Sequence, residues 1–128
     1  MLLVMHDAEL ATIHAFILPA RRTRVEALAS KPDRAARLQG VLAHQRILDS
    51  RFMRQVPPNE TSAEEIESVL RAKGAPGACR VMGGDLDSQE LPLAEALAQI
   101  EGCLVVCIPG HLAYFEGEEK NDRHILER

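Results

Sequence analysis

The chain has 128 residues, 46% of them apolar and 27% charged, with a net charge of −4. That length fits one domain burying roughly two thirds of the surface its unfolded form exposes, so neither disulfides nor a structural metal are required. The composition excludes disorder and fibrous repeats. The four aromatic residues, Phe16, Phe52, Tyr114 and Phe115, are too few for a base-stacking platform, where each face contributes ~1–3 kcal/mol, so nucleic acid is not an expected partner.

Charge is unevenly spread. Residues 1–60 carry nine Lys/Arg against six Asp/Glu, and residues 61–128 carry six against thirteen. Arg21, Arg22, Arg24, Lys31, Arg34 and Arg37 fall within seventeen residues, which reads first as a solvated helical face and second as an anion-binding cluster. The apolar opening Met1 to Met5, either of which can serve as the start, is short and lacks a preceding positive region, so it is not read as a signal peptide. No run approaches the ~20 apolar residues of a membrane span, and no membrane is expected.

In chain order, Thr12 to Leu18 reads as a strand, with apolar residues on both faces. Pro19 opens a helix, because its missing N–H costs nothing at the first helical position. A second helix begins around Pro32, with Ala35, Leu38, Val41 and Leu42 at helical spacing. Residues 44–58 are read as irregular, although Phe52, Arg54 and Val56 alternate like an edge strand before Pro57 and Pro58. Ser62 and Glu65 form a capping box for a helix over Ile66, Val69 and Leu70, which Gly74 ends. A strand is expected over Ala78 to Met82, an acidic glycine-rich loop over Gly83 to Leu91, and a helix from Pro92 with Leu93, Ala96, Leu97 and Ile100 inward. Cys103 to Ile108 is a continuous apolar run bounded by glycine and proline, as in a strand buried on both faces. Leu112 to Glu116 returns after the Pro109–Gly110 turn. The polar tail 117–128 is expected to be flexible or a short helix.

These elements point to an α/β domain at the border with α+β. Its expected sheet is small, mixed and four-stranded, mostly parallel with one antiparallel hairpin strand and packed by about four helices. Residues 78–108 are expected to make a right-handed parallel crossover.

Cys79, Cys103 and Cys107 lack a CxxC pair. On one strand Cys103 and Cys107 stand ~13 Å apart, beyond the ~7 Å reach of a disulfide, so all three thiols are expected to be free and the setting reducing and cytoplasmic. The loop holding Asp85, Asp87 and Glu90 is acidic enough for a hard cation, but it matches neither an EF-hand nor a phosphate loop. The same acids serve equally as turn formers and first-turn helix charges. His14 reads as a core or partly buried imidazole, His44 as a group oriented by Asp49 or by a helix end, and His111 as a turn residue. No histidine pair has helical zinc spacing, and no serine has a nucleophile elbow.

The favoured reading is a small cytoplasmic ligand-binding or protein-interaction module of regulatory kind. Its polar site is placed at the C-terminal rim of the sheet, where Arg21, Arg22, Asp85, Asp87 and His111 would meet a small anionic ligand or a protein partner without a cofactor. The alternative is a small metal-assisted hydrolase or phosphotransfer enzyme, with Asp85, Asp87 and Glu90 holding Mg²⁺ or Mn²⁺. An exposed edge strand leaves room for a homodimer.

Overall fold

The computed structural model describes residues 5–57, 62–99, 102–119 and 122–128. The expectations placed on residues 1–4, Pro58 and Ile100 lie outside them. The described residues form five α-helices and one six-stranded sheet. The helices are α1 Asp7–Phe16, α2 Pro19–Ala29, α3 Arg34–Val41, α4 Ala63–Ala72 and α5 Leu93–Gln99. The strands are β1 Met53–Gln55, β2 Ala78–Met82, β3 Glu90–Pro92, β4 Cys103–Ile108, β5 Leu112–Glu116 and β6 Arg123–Glu127, in the spatial order β1-β6-β5-β4-β2-β3. Every pairing is antiparallel. The mostly parallel four-stranded sheet is therefore incorrect, and three local reasons account for the difference.

First, Thr12 to Leu18 is not a strand. His6 caps α1 by accepting the Ala8 N–H at 3.1 Å, and Asp7 and Glu9 sit in the first turn, where the helix dipole favours acids. The buried residues are Glu9, Thr12, Ile13, Ala15 and Phe16, with Glu9, Thr12, Ile13 and Phe16 at helical spacing. Two of the five are polar, so apolar residues alone show a false alternation. Second, β3 pairs back onto β2, and α5 then returns the chain to the end where β2 finished, so β4 runs opposite to β2. The short hairpin supplies the reversal that a parallel crossover would have omitted. Third, the tail contributes β6, which pairs with both β5 and β1.

Other elements stand where the sequence places them. Pro19 is at the start of α2. Ser62 Oγ accepts the Glu65 N–H at 3.2 Å, and β2, β4 and β5 have the expected limits. The stretch 44–58 contains two 3₁₀ turns, Gln45–Ile47 and Ser50–Phe52, before the edge strand β1.

The sheet is covered on both faces. On one, Ile13, Phe16, Val25, Leu38 and Leu42 from α1, α2 and the end of α3 pack on Met82, Leu104, Val106, Ala113, Phe115 and Leu126. On the other, Ile66, Leu70, Leu93, Ala96 and Leu97 from α4 and α5 pack on Cys79, Val81, Val105, Cys107, Tyr114 and Ile125. Consecutive strand residues divide between the two cores, as the pleat requires.

Candidate functional site

An antiparallel sheet does not gather the expected rim. Met82 pairs with Leu104, so the loop after β2 lies beside the start of β4, whereas the turn carrying His111 follows the far end of β4. Asp85 is exposed in its loop and His111 is exposed in its turn, with Nδ1 3.4 Å from the Arg128 carbonyl. Arg21 is exposed on α2, and Arg22 donates from Nε to the Ile17 carbonyl at 3.1 Å. Glu90 starts β3. Asp87 faces Arg34, a partner the sequence reading did not give it. His14 is exposed and pairs with Glu26 at 2.7 Å instead of entering the core.

Two polar clusters emerge in place of the rim. The first ties the α1–α3 layer to the sheet. Arg34 donates to both carboxylate oxygens of Glu9, each at 2.9 Å, and to both of Asp87 at 2.8 and 3.0 Å. Arg80 on β2 adds a bond to Glu9 at 2.9 Å. The Gly83 N–H donates to Asp87 at 2.7 Å, and the Arg34 guanidinium also reaches the Ala29 carbonyl. Gly83 and Gly84, both at positive φ, let the loop turn under α3 so that the Gly84 N–H reaches the Ala35 carbonyl. Burial would lower the Arg34 pKa, but its bonds to Glu9 and Asp87 outweigh that and hold it above the usual value. Two buried anions meet two cations. A cation entering at Asp87 would have to displace Arg34.

The second cluster lies between the turn after α3, β1 and the β5–β6 connection. His44, Gln45, Arg46, Gln55, Glu119, Asp122 and His124 line a pocket of about 400 Å³. Asp122 and His124 are among its lining, and their Oδ1 and Nδ1 atoms lie 3.6 Å apart, buried and without a hydrogen-bond partner among the described residues. The His124 side chain is only 7% exposed, and its ring packs beside Phe115, its cross-strand partner. Gly117 makes the arrangement sterically feasible, since a Cβ there would collide with the Asp122 carboxylate. Backbone bonds from Gly117 to the Asp122 carbonyl and from Glu118 to the Ala43 carbonyl, both 2.8 Å, close the connection against α3.

Desolvation raises the Asp122 pKa, opposed by the nearby His124 and His44. It lowers the His124 pKa, opposed by Asp122. Both shifts favour neutral forms, an acid and an imidazole able to share a proton with a third group.

A buried polar atom without a partner costs ~1–3 kcal/mol, so two on side chains that line one pocket need a reason beyond folding. A larger groove of about 1010 Å³ runs between α4 and β1, with Ile66, Val69, Val56 and Ile125 among its walls. None of the orphaned atoms lines it, and volume alone supplies no recognition chemistry, so the smaller pocket is the stronger candidate.

Sequence reasoning missed Asp122, His124 and Glu119 because they fall in the segment read as a loose tail. The available signal was Ile125 and Leu126 inside that tail, an apolar pair suited to a strand covered on both faces. Among the described residues no group of three or more His, Cys, Asp or Glu is placed to hold a metal ion, and no helix is long and apolar enough to cross a membrane. Comparison with protein-family models, curated proteins and solved structures finds no match.

Proposed function

We propose that the protein is a small-molecule binding module whose ligand is a small hydroxylated anion, seated in the pocket over Asp122 and His124. The observation that carries this reading is the pair of buried atoms, 3.6 Å apart and unpartnered among the described residues, on two side chains that line the pocket. A hydroxyl group suits them best. It donates its one hydrogen to the Asp122 oxygen and accepts from the imidazole Nδ1–H. Exposed Arg46 on the pocket wall supplies a guanidinium for a carboxylate or phosphate on the same ligand. The pocket falls within the ~300–1,000 Å³ typical of small-ligand sites.

A thermal-shift screen with tartrate, lactate, glycerol phosphate and ribose phosphate, each with and without Mg²⁺, tests this. A ligand present at 100 times its dissociation constant adds ~2.7 kcal/mol to stability. The expected result is a shift by at least one hydroxylated anion, independent of Mg²⁺ and lost in the Asp122→Asn/His124→Gln double variant. A shift that survives in that variant moves the site elsewhere. A strict Mg²⁺ requirement, abolished by Asp85→Asn/Asp87→Asn, favours the metal-assisted enzyme.

A further inference from the structure

Cys79 and Cys107 are buried in the same core, at 2% and 4% exposure, in neighbouring antiparallel strands. Val81 pairs with Val105 and Arg80 with Val106, and Cys79 and Cys107 each stand one residue beyond the last of these pairs. The pair is of the narrow kind. The Val81 N–H and carbonyl bond to Gln89 and Ser88, away from β4. Cys79, two residues earlier, turns its backbone groups the same way. Opposed residues at such positions have Cα atoms about 4.5 Å apart, inside the roughly 4.4–6.8 Å that disulfides span. The Cys79 thiol points to the Pro76 carbonyl at 3.7 Å and the Cys107 thiol to the Val105 carbonyl at 3.9 Å. Cys107 also sits at the bulge where β4 shifts register against β5, and this adjustable backbone can absorb the change in sulfur position. Cys103, at the other end of β4, pairs with Glu116 on β5.

We propose that Cys79 and Cys107 are a reversible redox pair that closes to a cross-strand disulfide when the protein meets a peroxide. Cys79 is the attacking sulfur. It lies directly under the exposed Pro76–Ala78 segment, 3.7 Å from the Pro76 carbonyl. Interaction with Cys107 lowers its pKa, with Arg71 adding attraction, while the interaction with Cys79 and then burial push the Cys107 thiol up. The Cys79 thiolate takes one oxygen of hydrogen peroxide, breaking the O–O bond to give a sulfenic acid and hydroxide, which leaves as water with the proton Cys79 released. The Cys107 sulfur then attacks Cys79, the S–O bond breaks, and the departing hydroxide takes the Cys107 proton. Two thiols and one peroxide yield one disulfide and two waters.

The test is treatment of the folded protein with hydrogen peroxide in buffer without denaturant, then thiol counting under denaturing conditions and peptide mapping. Free thiols should fall from three to one with the loss of two hydrogens, and dithiothreitol should restore all three. Mapping is cleanest in the Cys103→Ala variant, where the only bridge should join the peptides on either side of Arg80. Cys79→Ala should abolish the bridge in material whose circular dichroism matches the parent. Three surviving thiols, a bridge through Cys103, a covalent dimer, or oxygen added to single sulfurs without a bridge would each overturn the proposal.

Discussion

The two polar clusters are both buried against the sheet, yet only one is complete. Around Arg34 every carboxylate oxygen of Glu9 and Asp87 accepts a hydrogen bond, and the charges balance. At Asp122 and His124 two buried atoms lie 3.6 Å apart, and neither has a hydrogen-bond partner among the described residues. The first arrangement spends its polar chemistry holding α1 and α3 to β2. The second leaves its unpartnered atoms on two side chains that line a pocket. The difference separates scaffold from site better than charge alone, which would have ranked the Arg34 cluster first.

Breaking the complete cluster should have the largest effect. Arg34→Ala leaves two buried carboxylates short of a cation and should cost ~3–5 kcal/mol in denaturant unfolding. Leu97→Ala gives an apolar yardstick from the opposite core, shared with Leu70 and Val105. It should cost ~2–5 kcal/mol by lost transfer energy and a cavity. A loss below ~0.5 kcal/mol there would mean that α5 does not pack as described. Gly117→Ala should cost ~1–3 kcal/mol, because the added methyl must push the Asp122 carboxylate aside. Asp122→Asn, by contrast, should change stability by less than ~1 kcal/mol, since no hydrogen bond is lost at Oδ1 and a neutral amide is cheaper to bury than a carboxylate.

The smallest effect is a pH dependence. His124 is held below 6.5 in the folded chain. As pH falls from 6.5 toward the folded value, the unfolded chain takes up a proton that the folded chain refuses, so stability falls. Asp122 acts oppositely. Its folded pKa lies above 3.8, so its contribution is fully present below 3.8 and is lost as pH rises through the folded value. His124→Gln should therefore flatten the stability profile just below pH 6.5. An unchanged slope in urea midpoints across that window would show that His124 is not held neutral by burial.

Local chemistry was legible in this sequence wherever one element's own residues determine it. Ser62 and Gly74 bound α4, Pro19 opens α2, and the Cys103–Ile108 run is a central strand. Direction was not legible. Whether β4 runs with or against β2 depends on Glu90–Pro92 pairing back as β3, three residues with no strong strand pattern. The helix α1 was hidden because Glu9 and Thr12, polar and buried, complete its inward face. The site was hidden for a related reason. His124 and Asp122 look like parts of a charged tail until β6 inserts between β5 and β1, which buries the imidazole.

The most direct test of the separation between scaffold and site is a titration followed through the histidine ring signals by nuclear magnetic resonance, with glycerol phosphate and tartrate as probes. Binding over Asp122 should move the His124 resonances, with a smaller change at His44 on the pocket wall, and leave those of exposed His14 and His111 in place. Resonances of His124 that stay fixed while a ligand binds, or shifts centred on His111, would contradict the assignment of this pocket as the site.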